Sequence, residues 1–430
     1  MVDSPLDAPI DVLVIGAGPA GAAAAALLHR AGRTVRIVEK QRFPRFVIGE
    51  SLLPHCMDVL DAAGLLPAVE ARGYLVKRGA LFYRGSDRCS FDFGDAFTPG
   101  WGWTWQVPRA DFDKTLADAT EAMGVPIHYG HEVVSARFEG SPEVEVSDEQ
   151  GRVHHLRPKF VVDASGYGRV LPRLLGLDEP SHLPKRQALF THLTGDRRPP
   201  GQDEGRIWIC IHPGQDGALG VGQAWLWIIP FSNGVTSVGA VSTPDFFDVF
   251  PGDPEQKLRA ILRAEPAARD RLSDGAFEFE PRVLSGYSAS VKRLHGPGYC
   301  LVGNATEFLD PVFSSGVTLA LESAHRASGL VLRELAGDAP DWKVEYADHM
   351  MRGIDVFRTF VTRWYDGALP AIFFAEGKTP EISKQICSVL AGYVWDADNP
   401  FVRDHARRVE LLAKLARSGR RDGFVATPIA

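Results

Sequence analysis

The stretch "DVLVIGAGPAGAAAAALLHRAGRTVRIVEK", Asp11 to Lys40, decides the fold. Val12 to Ile15 is an unbroken apolar run, as a strand buried on both faces of a parallel sheet requires. Gly16, Gly18 and Gly21 follow as GxGxxG, Ala20 stands among them, and an alanine-rich helix comes next. A second strand is expected over Thr34–Val38 and ends in Glu39-Lys40. The glycines permit a tight turn and let backbone amides approach a pyrophosphate at the start of the helix. Glu39 stands where a carboxylate accepts hydrogen bonds from an adenosine ribose. GxGxxG alone is a weak signal. Strand, glycines, helix, strand and acid in that order make a dinucleotide-binding unit.

The rest of the composition narrows the class. A chain of 430 residues is long for one core and predicts two or three domains. The net charge of −7 gives no electrostatic footprint for nucleic acid. Cys56, Cys89, Cys210, Cys300 and Cys387 are scattered without a CxxC pair, which argues against zinc and disulfides and for a reducing compartment. The first ten residues do not read as a signal peptide, and no apolar run is long enough to span a bilayer. The expectation is a cytoplasmic protein, monomer or homodimer, that binds no nucleic acid and spans no membrane.

Three further segments carry the resemblance. "FVVDASGYG" (160–168) is a short apolar strand ending in Asp163 before a glycine-rich turn. "GPGYCLVGNATEFLDPVFSSGVTLALESAHRAS" holds a strand at Tyr299–Val302, then Gly303-Asn304, a loop, and a helix starting near Ser314. "QVPRADFD" (106–113) reads as the start of another helix and contains Arg109. Together they resemble the glutathione-reductase-like flavoproteins, in the branch shared by aromatic hydroxylases and flavin-dependent halogenases. There the usual strand-end "GD" is replaced here by Gly303-Asn304, which removes a charge beside the flavin. Arg109 is implied to lie near the flavin. The loop "FPRFVIGESLLP" (43–54) resembles the flavin-adjacent loop of the same branch and brings Arg45, Gly49, Glu50 and Ser51 near the cofactor. Glu50 reads equally as an acid at a helix start. No second GxGxxG is present for a nicotinamide cofactor, so another protein must reduce the flavin.

Two motifs select the halogenases within that branch. "AWLWIIP" (224–230) fits WxWxIP, and Phe308, Pro311, Ser314 and Gly316 complete FxxPxxSxG. Strand periodicity places Trp225 and Trp227 on one face; by composition alone this is an ordinary half-buried aromatic strand. The resemblance to flavin-dependent halogenases covers about residues 10–330. It implies FAD, used as FADH2 from a separate flavin reductase, with O2 and chloride or bromide. It assigns the two indoles as a partition that keeps substrate from the flavin. It places halide at the amides of Ser315 and Gly316, where an open helix start can hold an anion; a plain Ser N-cap is the ordinary alternative. It makes Lys77 in "KRGALF" (77–82) the group that holds hypohalous acid in a separate pocket; picked blind, a lysine is a solvated surface charge.

Tryptophan-type members carry Glu where this chain has Phe313. Phe313 and the shorter chain point to the phenol- or pyrrole-halogenating branch, with a small aromatic substrate, free or held on an acyl or peptidyl carrier protein. His192 and Glu307 are candidates for a base, and sequence places neither. Phe357, Phe360 and Trp364 share one helical face. That face reads as a helix packing on the body or as an aromatic pocket over the substrate. A closing amphipathic helix is expected over "NPFVRDHARRVELLAKLARSG", with a Glu410–Lys414 pair and Gly419 as its stop.

The expected architecture is α/β. A glutathione-reductase-like (Rossmann-type) FAD-binding domain is built from residues 1–74, 111–180 and 291–330. A mostly antiparallel sheet domain takes 75–110 and 181–290, and a C-terminal helical region takes 331–430. The rivals are an FAD-dependent monooxygenase or a geranylgeranyl-reductase-like oxidoreductase, which leave both motifs unexplained, and a flavin-carrying binding module without catalysis, which leaves Lys77 unexplained.

Overall fold

The structure is a computed structural model and describes residue 6 and residues 8–213 and 223–418. Gly419 lies outside the described residues.

Val12–Ile15 forms the centre of a six-stranded sheet, flanked by Phe160–Asp163 and Val35–Glu39, both parallel to it. Ile127–Tyr129 extends one side and Tyr299–Leu301 the other, where a short antiparallel strand at His295–Gly296 closes the edge. Every residue of the central strand is buried, as its unbroken apolar run demands. The second strand runs Val35–Glu39, one residue later than the expected Thr34–Val38, so Glu39 is its last ladder residue. The helix Pro19–Arg30 buries Ala22–Ala26 completely. Alanines leave no bulk between axes, so it lies close against the long helix Ser315–Leu335.

Residues 79–92 and 187–285 share an eight-stranded sheet, antiparallel except where Gly79–Arg84 runs parallel to Ile207–Ile211. Its two faces belong to different cores. Leu226 and Ile228 turn toward the helices Pro244–Asp248, Pro254–Ala264 and Pro266–Leu272. Trp225, Trp227 and Ile229 turn toward the core that includes the six-stranded sheet. The period of two in the sequence thus sorts one strand between two interiors.

Helices close the far side. Asp348–Tyr365 follows a π-helical turn at Lys343–Ala347, and Pro380–Leu390 packs against Pro400–Arg403 and the strand Asp87–Asp92. The closing segment is two helices, Pro400–Arg403 and His405–Arg417, because the chain breaks at Asp404 (φ −123°). Glu410 and Lys414 pair at 2.7 Å. Among the described residues no helix is long and apolar enough to cross a membrane, and no cluster of His, Cys, Asp or Glu could hold a metal. All five cysteines are free and buried.

Candidate active site

The two sheets enclose a cavity of about 970 Å³, at the large end of the roughly 300–1,000 Å³ usual for ligand sites. Its floor is the glycine turn. Gly16 has φ 96°, and a Cβ there would stand 2.7 Å from the Ala164 carbonyl oxygen. A Cβ on Gly21 would meet the Gly16 carbonyl oxygen at 1.9 Å, so the helix rests directly on the turn. Gly21 is therefore a packing residue and does not line the cavity, whereas Gly16, Gly18 and Ala20 do. The helix Pro19–Arg30 has no side-chain cap and no acid in its first turn. Its orphan amides and dipole favour an anion. Arg45 supplies the counter-charge: a Cβ on Gly18 would lie 3.4 Å from its guanidinium, which is anchored on buried Asp113 at 3.3 Å.

Glu39 borders the cavity, 6% exposed, and accepts from the amides of Ala17 and Gln41, both at 2.8 Å. Its oxygens keep lone pairs for ribose hydroxyls. Lys40 lines the same end and pairs with Glu132 at 2.7 Å. Arg109 and Ser51 line the middle of the cavity. Arg109 grips Asp113 through two hydrogen bonds and donates to the carbonyl of Gly49 at 3.1 Å, which fixes the loop 43–54. Asp163 is fully buried and off the lining. It accepts from the amides of Ser165 (2.9 Å) and Leu171 (2.7 Å), so its role is to shape the turn 164–168 that lines the cavity. Gly303 and Asn304 complete the wall, with the Gly303 amide held by Ser323 at 2.8 Å. An elongated dinucleotide with a pyrophosphate at Gly18 and a ribose at Glu39 fits these residues.

The ceiling comes from the larger sheet. Trp225, Trp227 and Ile229 stand beside Ile207, Ile209, Ala188 and Phe190. The indole centroids are 6.0 Å apart and tilted by 49°. Gly239 makes room: a Cβ there would meet the Trp227 ring at 2.3 Å. The Trp227 N–H donates to Ser237 at 3.0 Å. The Trp225 N–H donates to the Tyr365 hydroxyl (2.9 Å), which donates to Asp310 (2.9 Å). Tyr287 donates to the same carboxylate at 3.3 Å. Burial raises the Asp310 carboxyl from 3.8 to about 6. Sequence gave no sign of this chain, because Tyr365 lies 140 residues from Trp225.

The second helix start faces the same cavity through Ser314 and Gly316. Ser314 adopts φ 57° and its side chain does not cap the helix Ser315–Leu335, contrary to the ordinary N-cap. The helix opens with no acidic residue in its first turn. Ser315 is buried, and a Cβ on Gly316 would touch the Phe308 ring at 3.2 Å.

Lys77 ends the strand Leu75–Lys77, which pairs with Thr104–Gln106, and is 1% exposed. Its ammonium position donates to the Leu52 carbonyl at 2.7 Å and lies over the Phe93 ring. Burial lowers its pKa from 10.5 to about 7. It does not line the cavity; Leu52, next to cavity-lining Ser51, intervenes. Cys56 lies beside it and meets Thr318, one turn into the long helix, at 3.2 Å.

The four aromatics expected to form a substrate pocket, Phe313, Phe357, Phe360 and Trp364, are 4% exposed or less and line no part of this cavity. Phe313 packs edge-on against Phe360 and Trp364, both at 5.9 Å, and Trp364 meets Phe82 at 5.6 Å. Phe313, Phe360 and Trp364 thus face one another and Phe82 rather than this cavity. Glu50 starts no helix. It is paired with His192 at 2.9 Å. Glu307 is held by Arg358 at 2.5 Å.

The sequence profile of the FAD binding domain family matches residues 9–353. The chain is 33% identical over 341 residues to a tryptophan 2-halogenase of Chondromyces crocatus, covering 76% of this chain and 62% of that one. It is 28% identical over 426 residues to a 1H-pyrrole-2-carbonyl-[peptidyl-carrier protein] chlorinase of Pseudomonas fluorescens, covering 94% and 93%. Its structure superposes on a flavoprotein/dehydrogenase of Cytophaga hutchinsonii with TM-score 0.91 and 49% identity, covering 96% and 99%. The chain belongs to the FAD binding domain family of FAD-dependent oxidoreductases, and it is similar to proteins named as flavin-dependent halogenases.

Proposed function

We propose that this chain uses FADH2, O2 and chloride or bromide to make hypohalous acid and to halogenate an electron-rich aromatic of phenol or pyrrole type. The observation that supports it most is a coincidence in one cavity. An uncapped, acid-free helix start at Ser314–Gly316 and the paired indoles of Trp225 and Trp227 border the space that fits FAD. Bound FAD would supply activation of O2; the residues supply the rest. The amides of Ser315 and Gly316 hold the halide. The indoles exclude the aromatic substrate from the oxidant. Lys77, whose burial lowers its pKa to about 7, receives the oxidised halogen as a hydrogen-bond donor or as an amine nucleophile.

The pyrrole-carrier relative favours a substrate tethered to a carrier protein, and a flavin reductase is the expected partner that supplies FADH2. The test is to give the protein reduced FAD, O2 and mixed halides with a panel of free and carrier-bound phenols, pyrroles and indoles. The reading expects products with a halogen isotope pattern by mass spectrometry. The same substrates hydroxylated or dehydrogenated, with no halogen incorporated, favour a second reading: an oxidoreductase whose substrate meets the flavin directly. The 49% identical flavoprotein/dehydrogenase supports that reading.

A further inference from the structure

This inference rests on the halogenase reading and extends it to the source of a proton. Making hypohalous acid consumes one proton beyond the hydrogens of the reduced cofactor: FADH2 + O2 + X⁻ + H⁺ gives FAD + HOX + H2O. Loss of hydrogen peroxide consumes none: FADH2 + O2 gives FAD + H2O2. A cavity that oxidises halide therefore needs a proton donor under its apolar ceiling, and one that only leaks peroxide does not.

Glu50 borders the cavity and is 1% exposed. One oxygen lies 2.9 Å from Nε2 of His192, and the other is buried with no partner in the protein. His192 continues the face of the strand Gln187–Thr194 two residues past Phe190, so it sits at the margin of the ceiling. Its side chain is 16% exposed, among Phe46, Phe231 and Phe279. The charged neighbours are already engaged: Arg109 holds Asp113, and Arg282 lies over the rings of Phe46 and Phe279. The other carboxylates and the imidazole on the lining, Glu39, Glu132 and His131, gather at the opposite end, where the His131 amide donates to the Glu39 carbonyl.

We propose that Glu50 and His192 deliver this proton. His192, in contact with solvent, takes it up and passes it to Glu50, which donates it inside the cavity to the oxygen that leaves as water. Glu50 is the catalytic donor, and His192 positions and recharges it.

The experiment partitions the two net reactions. Wild type and Glu50→Gln, each loaded with reduced FAD, receive O2 and bromide with a 1,3-diketone halogen trap and no aromatic substrate. Trapped bromine and hydrogen peroxide are both counted. In Glu50→Gln the trapped bromine falls about 100-fold, the scale of a lost general acid, and peroxide rises to replace it, while FAD still quenches on binding. Glu50→Asp recovers part of the trapped bromine. His192→Gln lowers the rate at saturating bromide and leaves the bromide KM unchanged. Without turnover, in flavin-free protein, the carboxylate infrared band that Glu50→Gln removes shifts in His192→Gln. An unchanged bromine-to-peroxide ratio in Glu50→Gln overturns the relay alone. A wild type that traps no halogen with any halide overturns the halogenase reading and the relay with it.

Discussion

Two helices begin at the same cavity, and they begin differently. The helix Pro19–Arg30 starts after Gly18 in extended backbone, and the helix Ser315–Leu335 starts after Ser314 in the left-handed region. Neither has a side-chain cap or an acid in its first turn. Both therefore present orphan amides and a positive dipole end. What stands in front of them sets the ligand. Before the first, Gly16 and Gly18 leave the approach clear and Arg45 adds a cation, which suits an extended, multiply charged pyrophosphate. Before the second, the Phe308 ring crowds Gly316 and Trp225 and Trp227 roof the space, which suits a small, singly charged anion. The comparison teaches that a helix dipole attracts charge without selecting it, and that the surrounding volume selects.

Gly21→Val breaks the first start most severely. Any Cβ there overlaps the Gly16 carbonyl oxygen, backbone against backbone. The expected result is loss of FAD binding by flavin fluorescence and a loss of about 3 kcal/mol or more in urea unfolding. Retained FAD binding would show that the turn does not need this contact.

Lys77 probes the space behind the second start. Its folded-state pKa lies below the unfolded one, so the unfolded chain binds more protons between pH 7 and 10.5. Stability accordingly rises with pH across that window, by up to about 5 kcal/mol. Lys77→Met should flatten that rise, stabilise the protein at pH 7, and abolish halogenation with FAD still bound. A variant as active as wild type removes Lys77 from the chemistry.

Asp310 belongs to the second start, where it accepts from the Val312 amide and from Tyr365 and Tyr287. Its carboxyl is raised to about 6, so the folded state binds more protons between pH 3.8 and 6. Stability falls as pH rises through that window, by about 3 kcal/mol. Asp310→Asn should remove that fall, read by thermal melts at pH 4 and pH 6.5. An unaltered difference between the two melts contradicts the assignment.

Gly316→Ala sharpens the contrast with the smallest push. The new methyl meets the Phe308 ring at 3.2 Å. The expected outcome is a bromide KM raised about tenfold, equivalent to about 1.4 kcal/mol, with FAD affinity unchanged. Parallel losses of both affinities would mean that the two starts are not separate sites.

The first start was legible in sequence because it is local: strand, turn, helix and acid occupy thirty residues, and Gly16 and Gly21 declare backbone contacts that no side chain permits. The ceiling was legible as a period, since Trp225 and Trp227 had to share a face. The partners of that face were not. Tyr365, Asp310 and the Glu50–His192 pair meet across 55 to 142 residues, and no local pattern encodes such a meeting. The aromatic face at Phe357, Phe360 and Trp364 was correctly periodic, but periodicity does not say whether a buried face meets ligand or neighbour; here it meets Phe313 and Phe82.

The central claim, a small-anion site at the second helix start beneath the indoles, is tested most directly by anomalous diffraction from crystals grown with FAD and bromide. The account predicts a bromide peak within hydrogen-bonding distance of the Ser315 and Gly316 amides, on the cavity side below Trp225 and Trp227. FAD seated in the cavity with no bromide at those amides, and bromide bound only on the outer surface, would contradict it.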